Sequence, residues 1–290
     1  MAAMSVAPDA RQPVARIAEA RASDASSPTA VRVRTRWDDC DHFGHVNNAA
    51  YVALVRAAHD RAGLPDGRLR ALTIAYREPV GPEVTVDVDV AVIEAGAARR
   101  RIGYTLRVDG RPAAEAEAVW QVPGPAPDVA SSPVALPMED LPMEDLPPLA
   151  RDIGGRPFRY GQVVRTYQVG PDGAARPQVI LQWLEHAVFR AAARAGWPVT
   201  RMAGASFLSL VIGHQLVLGA PAGESDELEI TSRLVELRRV SGVWHHEVRR
   251  KDGTLVAADR ARGAFLDFEG HIRSAPPEML DDLLHGEPPT

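Results

Sequence analysis

Twice along 290 residues the chain writes the same order of patterns: a strand, a turn, a long helix, then further strands, the last two joined by Asp-Gly. In the first copy the strand is Val31 to Trp37. Tyr51, Leu54, Val55, Ala58 and Ala62 then fall at helical spacing, and the helix is stopped by Gly63-Leu64-Pro65. A short apolar strand covers Leu72 to Arg77. Val84, Val86, Val88, Val90 and Val92 alternate with smaller or polar residues, the period of a half-buried antiparallel strand. Strands at 98–108 and 112–122 flank Asp109-Gly110, a strong hairpin signal. In the second copy a strand from Gln162 to Val169 precedes a helix carrying Ile180, Leu184, Ala187, Val188, Ala191 and Ala195. That helix stops at Gly196-Trp197-Pro198, and strands follow at 207–217, 226–237, 242–250 and 254–268, with Asp252-Gly253 before the last. Both helices are apolar over much of their surface, as expected where a curved sheet wraps each of them. The order implies an α+β fold written in tandem.

The boundaries follow from composition. Residues 1–30 are rich in Ala, Arg and Ser and read as a disordered tail. The first domain is 31–123, a proline-rich linker runs over 124–156, and the second domain is 157–290. The linker contains Pro-Met-Glu-Asp-Leu twice, at 137–141 and 142–146, a repeat too short for a solenoid and assigned no function. A formal net charge of −5 argues against a nucleic-acid partner. No apolar run approaches the ~18 residues of a membrane span, and residues 1–30 lack the apolar core of a secretory signal. The expected location is cytoplasmic. A single cysteine, Cys40, excludes an internal disulfide.

The chemistry concentrates at residues 38–51. Asp38, Asp39 and Asp41 end a strand, Gly44 follows, and Asn47 and Asn48 precede the helix. This order can set a carboxylate beside a helix N-terminus, where backbone N–H groups are available to a developing oxyanion. Such a pair is a minimal apparatus for hydrolysing an activated ester. Asp39 is expected to hold the loop by hydrogen bonds, Tyr51 to belong to the core, and His42 and His59 to lie on the surface. Cys40 stands between acids that suppress its thiolate. Glu185 and His186 on the second helix, Arg99-Arg100-Arg101, and Arg238-Arg239 are further candidates. The arginines are of the type that meets phosphates. No metal set and no Gly-x-Ser-x-Gly element is visible, and no cofactor is expected.

The motif Asp39, Asp41, Gly44, His45, Val46, Asn47, Asn48, Tyr51, within the strand–loop–helix layout, resembles the hotdog-fold thioesterases of the 4-hydroxybenzoyl-CoA thioesterase-like group. The layout match extends over about 31–123 and 157–270, and only the first copy carries the motif. The tandem plan is also similar to double-hotdog acyl-ACP thioesterases. Those carry Asn two positions after the catalytic Asp, where this chain has Phe43, a departure that favours the acyl-CoA branch. The resemblance implies a pseudo-dimeric double hotdog, a cofactor-independent thioesterase acting on acyl-CoA or an acyl-carrier protein. It implies Asp41 as nucleophile or general base, and Gly44, His45 and Val46 as donors of N–H groups to the thioester oxygen. It implies Asn47, Asn48, Glu185, Arg238 and Arg239 as substrate-binding residues, with coenzyme A or phosphopantetheine entering only as part of the substrate. A homodimer of double hotdogs is a further expectation. With Pro65 laid on Pro198, an offset of 133, Asp172 falls on Asp39, Ala174 on Asp41, Pro177 on Gly44 and Gln178 on His45. On that alignment the second copy lacks both the carboxylate and the flexible loop. One site would survive, with Asp41 from the first half and a wall from the second. Two other readings stand beside this one. A hotdog hydratase or dehydratase would place a histidine five positions after the Asp, whereas His45 is four after Asp41 and six after Asp39. A non-catalytic acyl-binding protein would bind acyl-CoA and release no thiol.

Overall fold

The computed structural model describes residues 28–41, 43–96, 98–123 and 152–285. The chain divides into two compact units, Met1–Leu141 and Pro142–Thr290. The first contains β1 (Thr29–Arg34), a 3-10 turn (Trp37–Asp39), α1 (Ala50–Arg61), β2 (Arg68–Tyr76), β3 (Thr85–Ala95), β4 (Arg99–Val108) and β5 (Arg111–Gln121). The second contains β6 (Phe158–Val163), a 3-10 turn (Thr166–Gln168), α2 (Pro177–Arg194), α3 (Val199–Gly204), β7 (Leu208–Leu218), β8 (Glu227–Arg238), β9 (Ser241–Arg250), β10 (Leu255–Leu266) and α4 (Pro277–Leu284).

The strand order in the first unit is β1-β3-β4-β5-β2, and in the second β6-β8-β9-β10-β7. These are one topology, antiparallel throughout. The valine alternation of β3 does what its period requires: Val86, Val88 and Val90 are buried while Thr85 and Asp87 are exposed. Asp109 and Gly110 both take positive φ, 50° and 76°, the pair of angles of a two-residue hairpin turn of type I′.

Three expectations need correction. The strand expected over Gln162–Val169 is Phe158–Val163, because Thr166–Gln168 closes into a 3-10 turn whose ends are tied by Arg165 and Gln168. The helices α3 and α4 are additional. α4 follows Pro276-Pro277 and buries Met279 and Leu283, a start signal and a helical spacing that were there to read. Thr29 and Ala30, assigned to the tail, begin β1 and pair with β3. Most of the expected tail and linker, with the repeated pentapeptide, lies outside the described residues. At the linker's end Ile153 donates its N–H to Val235 O at 2.9 Å, and Arg233 pairs with Asp152 at 2.6 Å. Among the described residues, no helix is long and apolar enough to cross a membrane.

His59, expected at the surface, is fully buried. Its Nδ1 lies 3.0 Å from Tyr104 Oη and its Nε2 3.0 Å from Pro65 O, while Trp120 Nε1 donates to Tyr104 Oη at 2.9 Å. A carbonyl only accepts, so Nε2 carries the proton and Nδ1 accepts from the tyrosine hydroxyl. The His59 ring packs on Trp120 at 4.2 Å between centroids, and burial pulls its pKa below the ordinary value. This neutral chain ties α1 to β4 and β5 with every named polar atom satisfied. Replacement His59→Leu deprives the Tyr104 hydroxyl of its acceptor and Pro65 O of its donor. It is expected to lower stability by about 2–3 kcal/mol, read as a fall in the urea midpoint at unchanged slope.

Candidate active site

Between the 3-10 turn and α1 the chain makes a tight loop, closed by backbone bonds. Asp41 N–H donates to His45 O (2.8 Å), Gly44 N–H to Asp41 O (3.0 Å), Val46 N–H to Val80 O (2.7 Å) and Asn47 N–H to Asp39 O (2.8 Å). Gly44 takes φ +76°, a conformation glycine adopts without the Cβ penalty. Asp39 is buried and anchors the entrance: its carboxylate accepts from Arg36 N–H at 2.8 Å and from Arg36 Nη2 at 2.8 Å. Asn47 Oδ1 accepts from Ala49 N–H at 2.9 Å, an Asx turn just ahead of the helix, whose N-cap position, Ala49, has no side-chain cap. Tyr51 is buried as expected and meets Tyr76 edge-on at 5.1 Å, and Tyr76 Oη donates to Asn48 O at 3.0 Å. Burial and then the neighbouring Asp39 and Asp41 raise the Cys40 thiol, so it stays protonated. His42 lies outside the described residues.

Asp41 is half-buried. Its Oδ1 accepts from Phe43 N–H at 2.9 Å and from His45 N–H at 3.2 Å. Its Oδ2 has no partner among the described residues. The N–H groups assigned to the oxyanion from sequence, those of Gly44, His45 and Val46, are each engaged inside the unit, on Asp41 O, Asp41 Oδ1 and Val80 O. The next turn is also largely closed, since Ala50, Tyr51 and Val52 donate to Asn47 O, Asn48 O and Ala49 O. The Asn48 N–H is the donor of this segment that has no acceptor among the described residues.

The second unit repeats this loop bond for bond. Gly170 N–H donates to Ala174 O (2.8 Å), Gly173 N–H to Gly170 O (3.0 Å), Ala175 N–H to Ala222 O (2.7 Å) and Arg176 N–H to Gln168 O (3.0 Å). Gly173 has φ +73°. The residue in place of Asp41 is therefore Gly170, not Ala174, and Gly173 and Ala174 stand for Gly44 and His45. The offset of 133 was wrong because α2 has 18 residues and α1 has 12, so that laying their ends together slips their starts by a turn. The missing carboxylate of the second copy stands. The missing loop does not, for the turn is intact.

A third copy of the turn occurs at Asp267-Phe268-Glu269-Gly270-His271-Ile272. Asp267 N–H donates to His271 O at 2.9 Å, Gly270 N–H to Asp267 O at 3.1 Å, and Asp267 Oδ1 accepts from Glu269 and His271 N–H at 3.0 and 2.8 Å. Asp-x-x-Gly-His is thus a turn-forming device in its own right. Asp267, Glu269 and His271 bring ligand atoms within 4.8 Å of one another, a metal-type grouping that the sequence reading did not see. Their bonds are those of the turn itself.

Most of the remaining candidates belong to the second unit. Glu185 Oε1 lies 3.6 Å from His214 Nε2, and His214 Nδ1 lies 2.9 Å from Asp259 Oδ2. The side chains of His214 and Asp259 are completely buried, and that of Glu185 is 12% exposed. Burial alone would lower the His214 pKa, but the Asp259 carboxylate, with Glu185 behind it, raises it to about 10. On the same sheet His246 Nδ1 and Ser232 Oγ are 2.8 Å apart, and burial pushes His246 down to about 4. Sequence reasoning missed His214, Asp259 and Ser232. The available signal was a charged residue, Asp259, following Val256-Ala257-Ala258 at a position paired with the apolar Leu216. Arg238 and Arg239 lie exposed at the β8–β9 hairpin, His186 is exposed on α2, and Arg101 pairs with Glu117 at 3.2 Å.

Residues 22–122 match the family model of the acyl-ACP thioesterase C-terminal domain, and residues 179–257 match that of the thioesterase superfamily. No curated protein matches the chain. Among solved structures, the 12:0-ACP thioesterase from Umbellularia californica is 12% identical, with TM-score 0.57 over 81% of this chain and 93% of that one. The tesB protein of Mycobacterium avium subspecies paratuberculosis is 15% identical, with TM-score 0.54 over 86% and 97%. An acyl-ACP thioesterase from Bacteroides thetaiotaomicron is 13% identical, with TM-score 0.53 over 82% and 97%. At these identities the structures speak to the fold, and the family matches speak to the chemistry. Both halves of the chain thus match thioesterase family models, and the protein is a thioester hydrolase built as a tandem double hotdog.

Proposed function

We propose that Asp41 is the reacting carboxylate and that the substrate is an acyl thioester of coenzyme A or of an acyl-carrier protein. One observation carries this reading. The twin turn in the second unit forms the same backbone bonds around Gly170, so the fold of the turn does not require a carboxylate at position 41. Asp41 Oδ2 has no hydrogen-bond partner among the described residues, and the turn that holds Asp41 leads into a 12-residue helix. Asp41 Oδ1 stays fixed by two N–H groups, so Oδ2 is the atom that attacks the thioester carbonyl or takes a proton from water. The Asn48 N–H, at the positive end of α1, is the donor this reading assigns to the developing oxyanion. Direct attack expels the thiol and leaves an acyl–Asp41 anhydride that water then hydrolyses; the general-base route adds water to the carbonyl and expels the thiol, and either route releases the acid and restores Asp41. Carboxylate, backbone N–H and water suffice, so no cofactor is invoked.

The carrier is left to experiment on good grounds. Phe43 favours coenzyme A, yet the half that contains it matches the acyl-ACP family. A series of acyl-CoA esters and the matching acylated carrier proteins, read with a thiol reagent, tests the reading. Thiol release from one series with a clear optimum in chain length is the expected result. Consumption of an enoyl-CoA with no thiol released would replace hydrolysis by hydration.

A further inference from the structure

In the second unit a cavity of about 430 Å³ opens beside the β8–β9 hairpin and α4. Its walls include Leu237, Phe265, Pro277 and Leu280, and Arg238 and Arg239 stand in its lining with no carboxylate among the lining residues. Phe265 is buried, and Leu280 is half-buried on a helix that sends Met279 and Leu283 into the core. Arg239 has no ion pair or hydrogen-bond partner among the described residues. A cavity of this size, mostly apolar with a few polar groups in its lining, is of the kind that binds small molecules. At about 30 Å³ for each water-sized group, it has room for roughly fourteen methylene-sized groups.

We propose that this cavity binds an anionic amphiphile, an unbranched apolar chain of about ten carbons with one anionic head, the chain against Phe265 and Leu280 and the head on Arg239. The apolar walls favour the chain by removing its surface from water. The guanidinium fixes the head by charge-assisted hydrogen bonds, for which no protein carboxylate in the lining competes. The cavity lining contains no carboxylate, thiol or imidazole, so it holds a ligand without reacting with it. One product of the proposed reaction presents this chemistry, the free acid released by hydrolysis.

The test is calorimetric titration of the full chain with decanoate below its micellar range, with no thioester present, so that the outcome is independent of Asp41. Decanoate is expected to saturate one site per chain. Arg239→Ala is expected to weaken it at least tenfold, and Leu280→Trp, which fills the cavity, to abolish it. Both variants are first shown to melt like the parent chain. Decyltrimethylammonium, with the same tail and the opposite charge, is expected not to compete. Lack of displacement by coenzyme A keeps the free acid as the occupant, and stoichiometric displacement of decanoate by coenzyme A would overturn it. Absence of saturable decanoate binding, equal binding of the cationic amphiphile, or indifference to both substitutions overturns it.

Discussion

Asp41→Asn is expected to lower kcat by at least about 10³-fold while leaving the melting temperature within a degree or two of the parent chain. The two halves of this expectation come from different atoms of one side chain. Asparagine keeps an oxygen where Asp41 Oδ1 accepts from Phe43 and His45 N–H, so the turn retains its side-chain bonds. The turn at Gly173 closes with no side chain at the position of Asp41, Asp172 Oδ1 there accepting from Ala174 N–H at 3.2 Å. What asparagine removes is the charge and the basicity of Oδ2, which the proposed attack needs. A single-turnover assay with the best thioester, beside a thermal melt, reads both. Retained turnover would remove Asp41 from the reaction. Lost turnover together with a fall of many degrees would mean that the residue is structural, as Asp267 is in the third turn. Asp267→Asn is therefore a useful companion, expected to leave kcat unchanged because its turn leads only into α4.

The tandem plan was legible because it is periodic. Alternating valines in β3, the spacing of Tyr51 to Ala62, and Asp-Gly pairs are local signals with local causes, and strands, helices and hairpins follow them closely. The errors arose where periodicity is silent. The strand expected to run to Val169 stops at Val163, and a 3-10 turn tied by Arg165 and Gln168 takes its place. The alignment of the two halves failed because it was anchored on helix ends, and helix length is free to vary while the turn before the helix is fixed by its bonds.

The site divides in the same way. Asp39 and Tyr51 fulfil roles that residue type and position dictate, anchor and core, while Asn47 closes an Asx turn ahead of the N-cap residue Ala49. The oxyanion donors could not be read, since whether a given N–H is free depends on the partner that approaches it. Val80, which takes the Val46 N–H, is 34 residues away in sequence. His59 and His214 were unreadable for a related reason. A histidine among apolar residues reads alike whether its neighbours leave it neutral, as Tyr104 and Pro65 do, or charged, as Asp259 and Glu185 do.

Asp259→Asn is expected to destabilise the second unit by about 3–5 kcal/mol, because it strands a buried imidazolium that the carboxylate now neutralises. The sign of the pH dependence follows from the same contact. The folded His214 titrates at about 10, above the ordinary value of 6.5, so its stabilising effect is complete below pH 6.5 and is lost as pH rises through 10. The interval between these values corresponds to about 5 kcal/mol as an upper bound. His246 acts in the opposite window: its pKa is lowered to about 4, so stability present above 6.5 is lost as pH falls toward 4. The parent chain should therefore weaken on both sides of neutrality, and Asp259→Asn should flatten the alkaline limb while leaving the acid limb. Urea unfolding followed through the tryptophans of the second unit, Trp183, Trp197 and Trp244, against pH measures this. The double replacement His214→Leu with Asp259→Leu removes both charges and leaves Glu185 its access to water, so it should recover most of the lost stability. If the single substitution costs under about 1 kcal/mol, or if the alkaline limb survives it, His214 is not held charged by Asp259.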